Sequence, residues 1–321
     1  MLESVVHPSK QVFTVYVGLT TAGYDIAASP RLVSAIRATS WPDEVVEYFR
    51  QARTGDCRVN PYWPRAFLLA LASLYLPESP PYRYPDPLVV TQHIESLDSV
   101  SPDEKDEDTV DWIFGLPEVY GLLRAQPVLD MLWDLYEGSI DLARWNSAVS
   151  EAVSLVIERM GIAPEGLPSI IVVPNPLQAP EQTDFITLDG NVYLIKAEPD
   201  VSSCIHEMLH HILSPALALA EPRVDAYAYL LAPILQDMLR LAYAWDESAG
   251  SWRRVFQEQF IRAAEIWVSY GDDPRLAQRA AVDADEGFRY VPVIVRKFQT
   301  DWSGLQTIED FIADCLRACS S

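Results

Sequence analysis

Positive charge is what this sequence has least of. Its 321 residues carry 24 Lys and Arg against 46 Asp and Glu, a formal net charge of −22. Phosphate backbones and anionic lipid headgroups repel such a chain, so nucleic acid and membrane surfaces are excluded as expected partners. A basic peptide or protein substrate is compatible with it. Long hydrophobic runs are missing too, and no stretch approaches the roughly 20 apolar residues of a membrane-spanning helix. Cysteine is sparse, with four residues at 57, 204, 315 and 319. Together with the lack of a charged-then-apolar leader in Met1 to Thr20, this gives the expectation of a soluble, cytoplasmic protein without a disulfide framework. Cys315 and Cys319 have no further ligands nearby in sequence, and so read as two packed thiols. Repeats and low-complexity tracts are absent. With 49 % hydrophobic and 11 % aromatic residues, the composition is that of a globular protein.

Histidine is scarce as well, at five residues, yet two of the five fall in one frame, Cys204-Ile205-His206-Glu207-Met208-Leu209-His210-His211. This is the HExxH pattern. On a helix, positions i and i+4 share a face, so His206 and His210 can present imidazole nitrogens to one ion. Glu207 lies about 100° round from His206, where it can take a proton from metal-bound water. Zinc lowers the pKa of that water to roughly 7. The setting supports a helix. Asp200 can cap its start, Ile205, Leu209, Ile212 and Leu213 form an apolar stripe, and Pro215 is expected to end it. His211, without a spaced partner, is expected to pack or to support a ligand.

Along the chain, residues 11 to 19 are β-branched and alternate enough to predict a strand. Helices are expected after Pro42 and over Pro64 to Tyr75. Pro-rich residues 77 to 88 read as punctuation, and the acidic stretch Asp98 to Asp111 as a solvated loop. Leu116 to Met160 is helical in pattern, with breaks near Gln126 and Gly138, and Gly161 ends it. Ile170 to Val173 reads as a buried strand, and Asp184 to Lys196 as a hairpin turning at Asp189-Gly190. Beyond the HExxH segment the pattern is helical, over roughly 222–245, 251–270, 275–284, 290–299 and 306–318. The expected division is a mostly helical region 1–165 and a catalytic region 166–321, packed as one unit.

Catalytic zinc usually takes three protein ligands and keeps one position open. No histidine follows His211, so the third ligand is expected to be a carboxylate. Glu221 lies eleven residues past His210, in a run that resembles the Glu-x-x-Ala-Asp segment of small glutamate-zincins. Pro222, however, places it at a helix start. Glu258 lies 48 residues past His210, in the middle of a helix. There Arg254, Glu258, Arg262 and Glu265 make a narrow polar strip with Val255, Ile261, Ile266 and Val268 on its borders. Apolar borders on both sides predict a mostly buried helix whose charged stripe faces a site.

These residues resemble a bacterial family of zincin-like proteins, a domain of unknown function akin to the gluzincin metallopeptidases. The matching positions are His206, Glu207, His210, Pro215, Ala242, Tyr243, Trp252, Glu258, Ile261, Arg262 and Ala263, with Gly287-Phe288-Arg289-Tyr290 further on. Gln257 stands where the family pattern has Asn, and Asp246 to Gly250 lengthen the Tyr243–Trp252 spacing. The resemblance covers roughly residues 166 to 321. It implies an α+β, zincin-like fold, predominantly helical with a small mixed sheet next to the HExxH helix, and it favours Glu258 over Glu221. Asn191 to Ala197 is then the candidate edge strand that walls the cleft and pairs with an extended peptide. The implied activity is zinc-dependent peptide hydrolysis. His206, His210 and Glu258 hold Zn2+, Glu207 is the general base, and Arg262 or Tyr243 supplies an oxyanion donor, although Arg262 can also serve to orient Glu258. The alternative is a non-catalytic zincin scaffold acting as a binding or regulatory protein.

Overall fold

The computed structural model of the chain describes residues 4–53, 63–97, 105–163, 167, 169–180, 182–241, 243–302 and 307–321. Cys57, Ala242 and the 98–104 part of the acidic stretch lie outside the described residues. The chain forms two compact units, one of Ser4–Asn146 with Ser169–Pro199, the other of Ser147–Pro168 with Asp200–Ser321. The strand segment 169–199 therefore groups with the N-terminal helices. The sequence division at 165 had placed it with the HExxH region.

The first unit is organised around α1 (Lys10–Thr21), whose residues Val12 through Thr20 are all buried. This corrects the strand expected over residues 11 to 19. A helix buried on every side shows no amphipathic period, and its β-branched residues then imitate a strand. The Ser9 side chain accepts from the Val12 amide and starts the helix. Helices α2 (Pro30–Arg37), α3 (Asp43–Arg50), α4 (Pro64–Leu74), α7 (Leu116–Arg124) and α8 (Val128–Glu137) pack on α1. Gly18 makes the α3 contact possible: a Cβ there would lie 2.2 Å from the Phe49 ring. Two further helices, α5 (Pro87–Glu95) and α6 (Glu107–Phe114), were not foreseen. Asp86 caps α5 and Asp106 caps α6, so residues 107–111 of the expected acidic loop are helical.

The sheet of this unit is small and mixed, in the order β1-β2-β4-β3. Strands β1 (Ser4–Val6), β2 (Ser169–Pro174) and β4 (Asn191–Lys196) run parallel, and β3 (Thr183–Leu188) is antiparallel to β4. The hairpin turns at Asp189-Gly190, with φ of 52° and 76°, the left-handed pair that a two-residue turn requires. One expectation fails here. β4 lies between β2 and β3, so its backbone groups are engaged on both sides and it is no edge strand.

The second unit is helical. It comprises the larger part of α9 (Leu142–Met160), then α10 (Val201–Leu219), α11 (Glu221–Asp225), a 3-10 turn Ala228–Ile234, α12 (Leu235–Arg240), α13 (Ala249–Tyr270), α14 (Arg275–Glu286), α15 (Val291–Asp301) and α16 (Ile308–Cys319). The single helix expected over 222–245 is broken into three short pieces. Pro222 starts the first and Pro233 falls inside the second, each lacking the amide that a continuous helix needs. Nor does Pro215 end α10, which runs through it to Leu219. No helix among the described residues is long and apolar enough to cross a membrane. The architecture is α+β, mostly helix with a small mixed sheet.

Candidate metal centre

Two helices of one unit build the site. α10 begins at Asp200, whose carboxylate accepts from the Ser202 and Ser203 amides at 3.3 and 2.8 Å. Cys204, Ile205, Met208, Leu209, Leu213 and Leu217 are buried, which leaves His206, Glu207 and His210 together on the adjoining, half-buried face. α13 begins at Ser248, which accepts from the Ser251 amide. Trp252, Val255, Phe256, Phe260, Ile261, Ala263, Ala264, Ile266 and Val268 bury it on nearly every side. Its charged stripe is turned toward α10 at two levels. Glu258 meets the histidines, and two turns on Glu265 accepts a hydrogen bond from Ser202.

Among the described residues, His206, His210 and Glu258 form the one group of three such side chains whose ligand atoms come together, all within 4.8 Å. The two Nε2 atoms are 3.1 Å apart. His210 Nε2 lies 3.5 Å from Glu258 Oε2, and His206 Nε2 lies 3.9 Å from Oε1. Ligand atoms each about 2.05 Å from one tetrahedral ion would stand about 3.3 Å from one another; the nitrogen pair is near that spacing, and Glu258 offers a different oxygen to each histidine, at 3.5 and 3.9 Å. Two neutral imidazole nitrogens this close need a proton or a cation between them. Burial pulls His206 down to about 3, against the opposing charge of Glu258, so its ring is neutral and its lone pair is available. Burial also lowers His210, but the hydrogen bond to Glu258 and the charges of Glu207 and Glu258 outweigh it and raise the group. Burial likewise pushes Glu258 up. The hydrogen bond to His210 and the charges of His206, Arg262 and His210 overcome that push and hold it ionised, well below the usual carboxylate range.

The remaining expected residues separate clearly. Glu207 is half-buried, and its charge is felt at His210. Arg262 donates from Nε to Glu258 Oε1 at 2.6 Å and from Nη2 to the Tyr243 hydroxyl at 3.3 Å, with its guanidinium 3.9 Å from the centroid of Phe288. It is committed to Glu258 and orients that carboxylate. Burial, with the charge of Glu258, pushes the Tyr243 phenol up to about 12, so it keeps a proton to donate. Glu221 is elsewhere: its carboxylate is 2.7 Å from Arg253, which also binds Asp225 at 2.6 Å. The structure does not bring it to the histidines. Burial lowers the pKa of His211, and the ring belongs to no metal-type cluster among the described residues. Cys315 and Cys319 join none either; burial raises both thiols.

Sequence reasoning missed Asp283 on α14, which is wholly buried and faces Arg262 and Arg279. The only local signal was its i+4 spacing from Arg279, which looks like an ordinary surface pair. It also missed the Ser202–Glu265 contact. The Gly287-Phe288 stretch acquires a role here. At Gly287, with φ of 122°, a Cβ would come 2.8 Å from that of Asp237, and the turn it allows delivers Phe288 beneath Arg262. No protein-family model, curated protein or solved structure matches the chain.

Proposed function

We propose that this chain is a metal-dependent hydrolase of the HExxH type, acting on peptide or related amide bonds, with zinc as its ion. The observation that carries this reading is the convergence of two imidazoles and a carboxylate, with Glu207 directly beside one of those imidazoles in sequence. A His2Glu set suits zinc and leaves a coordination position open. His206, His210 and Glu258 would hold the ion. Bound there, zinc would supply Lewis acidity, bringing the pKa of a water toward about 7 and drawing electrons from a substrate carbonyl.

The chain's own residues would do the rest. The Glu207 carboxylate takes the proton of the attacking water and delivers it to the leaving nitrogen. Arg262 holds Glu258 in one orientation, and Tyr243, protonated at neutral pH, donates to the developing oxyanion. A zincin-like arrangement goes with this chemistry, but an extended substrate would not pair with β4, whose two edges are already used.

The test is Glu207→Gln, assayed on a mixed peptide library together with metal analysis. The amide keeps the shape and loses the base, so turnover is expected to fall about 10²- to 10⁴-fold with one zinc per chain retained. Unchanged turnover would remove Glu207 as the base. Zinc bound without turnover in the native protein would favour the non-catalytic scaffold, and no zinc at all would sink both.

A further inference from the structure

The centre has a support that its ligand motif does not contain. Asp283 has no exposed surface. Its Oδ1 lies 2.9 Å from Arg279 Nη2 and its Oδ2 lies 3.7 Å from Arg262 Nη1, yet neither oxygen completes a well-aligned hydrogen bond. A buried carboxylate this poorly hydrogen-bonded is costly to keep, and simple packing would favour an apolar residue of the same volume. What Asp283 does face is the guanidinium that controls Glu258.

Arg262 is restrained on every side. Nε binds Glu258, Nη2 binds Tyr243, Nη1 points to Asp283, and the Phe288 ring lies against the plane. With Arg262 fixed, Oε1 of Glu258 is the oxygen it occupies, and Oε2 is the one nearer His210. An arginine alone on a buried carboxylate would neutralise it and compete with a cation for the same oxygens. A second carboxylate beyond the arginine draws part of that charge away.

We infer that Asp283 is a positioning residue of the metal centre. It acts through Arg262, fixing the guanidinium and sharing its charge, so that Arg262 orients Glu258 without cancelling the negative charge the carboxylate offers a cation. The inference rests on the metal reading above and deepens it. Residues further out than the ligands themselves commonly change metal affinity by about 10- to 100-fold, and two residues, Arg262 and Glu258, stand between Asp283 and the ion.

The experiment is a double-mutant cycle on the full chain, with Asp283→Asn, Arg262→Met and the two combined. Zinc affinity is read by competition with a chromogenic chelator, and the fold of each variant is checked by thermal unfolding. Asp283→Asn is expected to weaken zinc by about 10- to 100-fold. In the Arg262→Met background the same change should alter affinity less than about twofold, because the group it acts through is gone. Native affinity in Asp283→Asn would overturn the inference, as would an equal loss in both backgrounds, which marks a general effect on the fold. Should Asp283→Asn alone fail to fold, Arg262→Met against the double variant decides: equal affinities support the inference and a further loss overturns it. A native chain that binds no zinc would overturn the metal reading itself, an outcome distinct from normal native binding with an unaffected variant.

Discussion

α1 and α13 are each buried along most of their length, and they are made of opposite materials. α1 carries no charged side chain between Lys10 and Thr21, and its buried run of Val, Phe, Tyr and Leu stabilises mainly by area, at about 1.5–3 kcal/mol for each large side chain. α13 buries as many apolar groups but adds Glu258, Gln259 and Glu265. Desolvating a charge costs several kcal/mol even when it is paired, so α13 is the less economical way to fill a core. The difference separates two purposes. α1 is a packing element whose sequence answers chiefly to volume, with the buried Tyr16 hydroxyl reaching Asp184 on β3. α13 keeps charges where burial makes them expensive, and each faces a partner on another helix.

The largest test of that contrast is Glu258→Ala. It removes the carboxylate that both histidines and Arg262 face, and leaves the Arg262 charge with only the more distant Asp283 to offset it. Zinc affinity should fall by at least about 100-fold, and the metal-free protein should lose about 3–5 kcal/mol, read by chelator competition and by chemical unfolding. If neither changes, Glu258 is neither a metal donor nor a partner that Arg262 depends on.

A smaller effect is expected in the other unit, where Asp184 is the one buried acid among the described residues. Tyr16 donates to it at 3.1 Å and Gln182 at 2.8 Å. Burial nonetheless pushes it up to about 6 from the ordinary 3.8. The folded form thus binds more protons than the unfolded one between those values, and stability must fall as pH rises through that window. The full drop is about 3 kcal/mol at roughly 1.4 kcal/mol per pKa unit. Denaturant titrations at pH 4 and pH 7 should show a fall in stability that is smaller by about this amount in Asp184→Asn than in the native chain. An Asn variant with the native pH dependence would assign the slope elsewhere.

The smallest effect belongs to Glu221→Ala. Its ion pair with Arg253 is exposed, with both side chains more than 40 % accessible, so stability should change by less than about 1 kcal/mol. Zinc affinity should not change. Tight binding by Glu258→Ala with weak binding by Glu221→Ala would reverse the assignment of the third ligand.

The same contrast explains what could be read beforehand. The α10 motif, the cap at Asp200, the turn at Asp189-Gly190 and the bordered stripe of α13 are local patterns, and local patterns survive translation into sequence. Glu258 was legible because its own helix advertised it. α1 was not, since uniform burial erases periodicity. The interior place of β4 depends on pairing with β2, some twenty residues away in the chain, and nothing within β4 states it. Asp283 lies on a different helix from Arg262 and meets it only through tertiary packing. Pro215 looked like a stop, but a helix can continue past a missing amide when its remaining bonds and packing hold.

All three proposed donors come from α10 and α13, which belong to one of the two compact units. By mass action, an ion at a hundred times its dissociation constant adds about 2.7 kcal/mol to whatever it binds in the folded form. If zinc binds as proposed, every donor for that increment lies in the helical unit and none in the unit with the sheet. Zinc supply would then set part of the stability of the fold from outside the sequence, entering it through α10 and α13.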